Sequence, residues 1–194
     1  MALNKIQIIS QALSLIGIPG TQSIDPNNKD QVFAEQAFDF LYPTTLAKED
    51  WRFATAIQQL SQLVETPIID EYRYAYQLPA GFLAIVRPYN LSRFQIYEDK
   101  LYSNENELKL EYRFEVDISK APDYFTEYMI YVLAEYLTLA LAEKIEYETI
   151  LRQKKKETGD RAAYLDAQGH SNFQIQFNPF IDIRGSSRGT IGVR

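Results

Sequence analysis

The spacing of apolar residues changes twice along this chain of 194 residues. Over residues 2–16 apolar side chains recur every three or four positions, which is the period of an amphipathic helix. From residue 72 they alternate with polar ones, the period of a strand, and from residue 122 the helical period returns. This order predicts a mainly α protein with a β insertion (α+β), in which a helical body over residues 1–168 carries a small antiparallel β unit at about residues 71–116.

The first two helices have recognisable boundaries. Two glycines and a proline within residues 17–20 end the first helix. Asp30 is predicted to cap the second helix, and Pro43 predicts a kink or a restart within it. The helical spacing resumes after Pro43 and places Leu46 and Trp51 in one packed region, so Trp51 is predicted to anchor the core. The apolar positions of the second helix are Val32, Phe33, Ala37, Phe40 and Leu41.

The β unit is predicted from short alternating segments separated by polar turns. The first is the tyrosine alternation at residues 72–76. Further strands are predicted at residues 82–87, 93–97, 100–102 and 107–116. Turns are predicted at residues 98–99 and 104–106, where acidic residues and asparagines cluster.

A long apolar helix is predicted to follow Pro122, a residue suited to the first turn of a helix. Its apolar stripe is wide enough to be buried against other helices. The stripe consists of Phe125, Met129, Val132, Leu133, Tyr136, Leu137 and Ala140. Beyond residues 143–148 a more polar helix runs from Ile150 to Leu165, and Gly169 is predicted to end it.

Residues 169–194 are predicted to form an extended C-terminal arm, because glycines and Pro179 interrupt any regular period. The arm carries more bulky apolar residues than a solvated tail would, and they are expected to bury against another chain. Its basic end lacks acidic residues after position 184 and suits an acidic partner surface. Two alternatives are that the arm packs on its own body or is a frayed terminus. The predicted binding residues are Phe173, Ile175, Phe177, Phe180, Ile181, Ile183, Arg184, Arg188 and Arg194.

Composition limits the possible functions. The net charge of −6 gives no electrostatic reason for the surface to bind nucleic acid or an anionic membrane. The absence of cysteine excludes disulfides and thiolate chemistry. Fourteen tyrosines suit subunit interfaces, since tyrosine combines a large apolar face with a hydroxyl, and the interface candidates are Tyr128, Tyr131 and Tyr136.

No catalytic, metal-binding or cofactor-binding residues are predicted. The single histidine, His170, has no second histidine or cysteine to pair with, and is interpreted as a loop residue. A carboxylate-dependent cell-wall glycan hydrolase stays open as an alternative, because acids from distant positions can converge. A small scaffolding or regulatory binding module is a further alternative.

Four stretches carry a family resemblance: residues 2–20 (ALNKIQIISQALSLIGIPG), 34–60 with LAKEDWRFATAIQQL, 76–85 (YQLPAGFLAI) and 100–142. Their order and spacing resemble the head-to-tail adaptor (connector) family of short-tailed bacteriophages, the tail tubular protein A-like group. The resemblance covers most of residues 2–142 and rests on patterned apolar residues around one tryptophan. The β region of this chain is compact compared with the β regions of family members that carry larger insertions.

The resemblance implies a structural virion protein at the head-tail junction. In such an adaptor about twelve copies form a ring, as closed symmetric oligomers do. The portal protein lies above the ring, the tail nozzle protein is a further neighbour, and DNA passes through the centre without sequence recognition. No catalytic residues or cofactors are implied, and the arm matches C-terminal extensions that grip the portal.

Overall fold

The computed structural model describes residues 3–65, 67–89, 93–141 and 145–168. The elements, in chain order, are α1 (Lys5–Leu15), α2 (Lys29–Lys48), β1 (Thr55–Gln59), β2 (Tyr74–Gln77), β3 (Phe82–Tyr89), β4 (Phe94–Tyr97), β5 (Lys100–Ser103), β6 (Lys109–Phe114), a short 3-10 helix (Ile118–Lys120), α3 (Asp123–Leu141) and α4 (Ile145–Ala167). The predicted mixed α+β class is confirmed, with helices on both sides of the β segment in the sequence. The predicted arm and the stop at Gly169 lie outside the described residues.

Side-chain caps fix the starts of the first two helices. Asn4 accepts a hydrogen bond from the Gln7 amide at 2.8 Å, and Gln7 accepts one from the Asn4 amide at 2.9 Å, forming a capping box. The cap of α2 is Asn28, whose Oδ1 accepts from the amides of Asp30 and Gln31. The prediction of Asp30 as the cap is therefore wrong. Asp30 lies in the first turn, where its carboxylate faces the positive end of the helix dipole.

Pro43 does not divide α2, which runs without a break from Lys29 to Lys48. A proline within a helix removes one backbone hydrogen bond, here the one to the carbonyl of Asp39. Packing on both sides offsets that loss, since Tyr42 before the proline and Leu46 after it are both buried. The predicted restart is therefore wrong, and the helix passes through the proline.

The main core lies between the helices and is centred on aromatic rings. Trp51 is buried, as predicted; its Nε1 donates to the Thr45 carbonyl at 3.1 Å, and its ring lies 4.9 Å from that of Phe125 in an edge-on arrangement. On α3 the fully buried face consists of two neighbouring rows, one of Phe125, Met129, Leu133 and Leu137 and one of Thr126, Ala134 and Thr138. Tyr136 and Ala140, predicted to belong to the buried stripe, are exposed.

The β unit consists of two three-stranded antiparallel sheets. One has the order β1-β6-β3 and the other β2-β5-β4. A second apolar core, which includes Tyr76, Leu101, Leu108 and Leu110, lies in this unit. The chain passes from the first sheet to the second just after β1, since the Leu60 amide donates to the Leu108 carbonyl and the Ser61 carbonyl accepts from the Gln77 amide.

Strand β1 was not predicted. Its sequence, TAIQQ, contains one large apolar residue, and its last three positions are exposed, so it lacks the alternation that marks the other strands. Because β1 pairs with β6 from Thr55↔Arg113 to Gln59↔Lys109, the β unit begins near residue 55 rather than 71.

Among the helices that the structure describes, none has the length and apolar character needed to cross a membrane.

Candidate docking surface

The predicted binding residues fall into two groups. The nine arm residues, from Phe173 to Arg194, lie outside the described residues, as does His170. The three interface tyrosines lie on α3 and differ in environment.

Tyr128 belongs to the core of its own chain. Its ring lies 5.8 Å from that of Trp51, and its hydroxyl donates to Glu49 Oε1 at 3.3 Å. Burial raises the pKa of this tyrosine, and the negative charge of Glu49 raises it further. Most of the ring is therefore covered in the isolated chain.

Tyr131 and Tyr136 are more accessible. Tyr131 is half-buried and packs against the helical core. Tyr136 is 39% exposed, and its ring stacks on that of Phe33 with centroids 6.2 Å apart. Of the three predicted tyrosines, Tyr136 presents the most surface to a neighbour.

An apolar surface surrounds Tyr136. Leu139, one turn further along α3, is 67% exposed, and Phe40 on α2 is 61% exposed. Phe40 lies two turns after Phe33 and so shares its face of α2. We call these exposed residues, with the half-buried Leu41 and Val132, the α2–α3 surface. A groove of about 300 Å³ opens within it, lined by residues of α2 and α3 and by Lys155 of α4.

Charged side chains border the groove. Glu135 forms ion pairs with Lys155 and, at 3.4 Å, with Arg152. Arg152 also pairs with Glu148 at 2.6 Å. The two pairs of Glu135 join α3 to α4, and Glu135 and Lys155 line the groove. An apolar centre with a charged border is the arrangement found at protein–protein interfaces.

Two carboxylates, Glu49 and Glu135, line the same groove, and the negative charges of both raise the pKa of the Tyr128 hydroxyl. A carboxylate pair is what a glycan hydrolase requires. Here each acid has a partner already: Glu49 accepts from Tyr128, and Glu135 is paired with two cations. This is the feature of the described structure that bears most directly on the hydrolase alternative.

Asp166, near the end of α4, makes a junction that the sequence analysis missed. Its side chain accepts from the Arg52 amide at 2.5 Å, the Phe53 amide at 3.3 Å and the Tyr124 hydroxyl at 2.8 Å. Burial and the bond to Asp166 raise the pKa of Tyr124. One signal was available, because an acidic residue at a helix C-terminus opposes the helix dipole and implies a specific partner.

The junction fixes the end of α4 against the segment that leads into β1. Asp166 is 7% exposed, and Gln168, two residues later, is the last described residue. The described end of the chain therefore lies near Arg52 and Phe53.

Comparison with known proteins identifies no family: no family model matches the chain, and no curated protein matches it.

Proposed function

We propose that this chain is a structural subunit of a phage head-to-tail adaptor, which forms a ring with copies of itself, docks under the portal and encloses part of the DNA passage. The exposed α2–α3 surface carries the proposal. Tyr136 and Leu139 line one groove and are exposed, and burying such apolar area is the main driving force for subunit association. A non-enzymatic role accounts for this surface directly.

A ring interface is heterologous, so the α2–α3 surface of one copy would bind a different surface of the next copy. The groove is suited to receive a projecting side chain, since its centre is apolar and its border is charged. Tyr136 is the interface candidate that this arrangement favours, and Tyr131 is the next.

The charge distribution agrees with a DNA passage and a portal partner. Residues 169–194 contain three arginines and one aspartate, so the acidic excess lies in residues 1–168. An acidic surface facing a ring lumen would repel phosphate and let DNA slide without binding. The basic end of the arm is then the part suited to an acidic surface on the portal.

The arm is tested by deletion of residues 169–194, followed by electron microscopy of the chain mixed with purified portal rings of the same virus. The full chain is expected to add a ring of density to the portal. The deleted chain is expected to stay folded, with a cooperative melting transition, but to leave portal rings bare. If the deleted chain decorates portal rings as well as the full chain does, the arm has no role in docking.

The ring surface is tested by Leu139→Glu, which places a charge on the α2–α3 surface. Tyr164→Glu is the matched control, because Tyr164 is also an exposed apolar residue but lies on α4. Leu139→Glu is expected to stay folded and to abolish closed rings on the portal, whereas Tyr164→Glu should preserve them. Equal ring formation by both variants would show that the α2–α3 surface is not part of the ring interface.

The hydrolase alternative makes a different prediction. Purified chain would then degrade isolated cell walls, and Glu135→Gln would stop it without changing the fold. The adaptor proposal predicts no degradation by either protein. A stable monomer or dimer that ignores portal rings would instead favour the binding-module alternative.

A further inference from the structure

Among the described strands, β1 is at the edge of its sheet, with β6 on one side and no described strand on the other. On either side of β1, the Ala54 carbonyl accepts from the Phe114 amide of β6, and the Leu60 amide donates to the Leu108 carbonyl just before β6. With the register Ala56↔Tyr112, the hydrogen-bonded positions are every second residue, so the backbone groups of the even-numbered residues face β6. The backbone groups of Ile57 and Gln59 therefore point away from the sheet. Among the backbone hydrogen bonds of the described residues, none uses the amides or carbonyls of these two positions.

β1 is better suited to pairing than the opposite edge of the same sheet. Strand β3 contains Pro88, and its register with β6 shifts twice, between Phe82 and Ala84 and between Ile85 and Arg87. Proline and bulges are features that prevent a strand edge from pairing further. β1 keeps an unbroken register over all five residues and has neither feature.

The last described residues lie near the start of this edge. Asp166 binds the amides of Arg52 and Phe53, and Gln168 is the last described residue. Residues 169–172 can span up to about 14 Å, while the path from Arg52 to Thr55 is at most about 11 Å. The segment that begins at Phe173 is therefore within reach of β1 in its own chain.

The pattern of residues 173–177 fits an edge strand. Phe173, Ile175 and Phe177 alternate with two glutamines over five residues, the length of β1. If its apolar side chains lie on the same face as Ile57, which is 62% exposed, the added strand covers that residue. Its glutamines then lie on the face of the exposed Gln58.

We infer that residues 173–177 pair with the outer edge of β1 in the same chain, as a fourth strand of the β1-β6-β3 sheet. Because the last described residues lie near the start of β1, the added strand runs parallel to it. This divides the arm into an anchored part and a part from Phe180 onward that reaches the partner. The inference does not rest on the adaptor proposal, since a chain with no affinity for a portal could form the same strand.

Amide hydrogen exchange on the full-length chain tests the pairing. In a parallel pair with Phe173, Ile175 and Phe177 on the face of Ile57, the backbone groups that bond to β1 are those of Gln174 and Gln176. Gln176→Pro therefore removes a donor to β1, and Ile181→Pro is the proline control outside the added strand. The amides of Ile57 and Gln59 are expected to exchange at least about tenfold faster in Gln176→Pro than in the wild-type chain. Ile181→Pro should match the wild type.

The neighbouring amides of Ala56 and Gln58 serve as internal references, because their bonds to β6 are present in every variant. Equal exchange of Ile57 and Gln59 in the wild type and Gln176→Pro would overturn the inference. Protection that rises with protein concentration would also overturn it, since the strand would then come from a second copy. Neither result would alter portal binding, so the two proposals fail separately.

Discussion

Replacing Asp166 with alanine removes the acceptor of three hydrogen bonds that join the end of α4 to the segment before β1 and to α3. Hydrogen bonds to a charged group contribute about 1.5–3 kcal/mol each, and a buried donor left without a partner costs about 1–3 kcal/mol. The cleft beside Asp166, also lined by Arg52 and Ala167, admits water, so part of the loss is recovered by hydration. We expect a net destabilisation of about 2–4 kcal/mol.

Urea unfolding followed by circular dichroism measures this change. With a denaturant slope of about 2 kcal/mol per molar urea, the midpoint should fall by about 1–2 M. Asp160→Ala is the matched control, since Asp160 is an exposed aspartate on the same helix, and it should change the free energy of unfolding by less than about 0.5 kcal/mol. Tyr124→Phe removes one of the three donors and should cost about 1 kcal/mol.

A double-mutant cycle isolates the Tyr124 contribution. Because the two side chains share a hydrogen bond of 2.8 Å, the effects of Asp166→Ala and Tyr124→Phe should be less than additive. The reasoning is refuted if Asp166→Ala and Asp160→Ala have the same unfolding midpoint, because the hydrogen bonds would then contribute nothing to stability.

Three further predictions follow from other contacts. Gly159→Ala should destabilise the chain by about 1–2 kcal/mol in urea unfolding, because the new Cβ would lie 2.9 Å from the buried Tyr128 ring. A stabilised variant would show that the higher helix propensity of alanine outweighs this close contact. Burial raises the pKa of Tyr42 and Tyr128, so their contribution to stability is complete below the ordinary tyrosine pKa of 10.0 and is lost as the pH rises above it. The urea concentration at the unfolding midpoint should therefore decrease when the pH is raised from about 9 to about 11. The decrease should be smaller in Tyr128→Phe. Asn28→Ala should lower the free energy of unfolding by about 1 kcal/mol, a larger decrease than that caused by Asp30→Ala. A larger decrease in Asp30→Ala would indicate that Asp30 is the cap.

The sequence predicts those elements whose apolar residues repeat strongly. The helical cores of α1 and α3, the strands from β2 to β6 and the burial of Trp51 follow from spacing and residue type. Strand β1 could not be found in this way, because it forms through pairing with β6, fifty or more residues later, and the side chains of its last three residues are exposed. The cap of α2 was missed for a local reason: Asn28 and Asp30 are both good caps, and only the backbone path before the helix selects between them.

The candidate docking surface is less predictable than the fold. The sequence places Tyr128 and Tyr136 on one helix but does not show that Tyr128 contacts Trp51 and Glu49, whereas Tyr136 stays exposed in a groove that Leu139 also lines. Asp166 shows the same difficulty, since its three donors come from residues 52, 53 and 124. Long-range contacts of this kind leave only an indirect sign in the sequence, here a carboxylate where the helix dipole disfavours one.

Asp166 connects the stability of the body to the position of the arm. If the junction sets the starting point of residues 173–177, then Asp166→Ala should loosen the added strand even under conditions in which the body stays folded. The amides of Ile57 and Gln59 should then exchange faster in Asp166→Ala without urea, while those of Ala56 and Gln58 keep their bonds to β6. Faster exchange at all four positions would mean general destabilisation, and unchanged exchange at all four would mean that the strand holds its place without the junction.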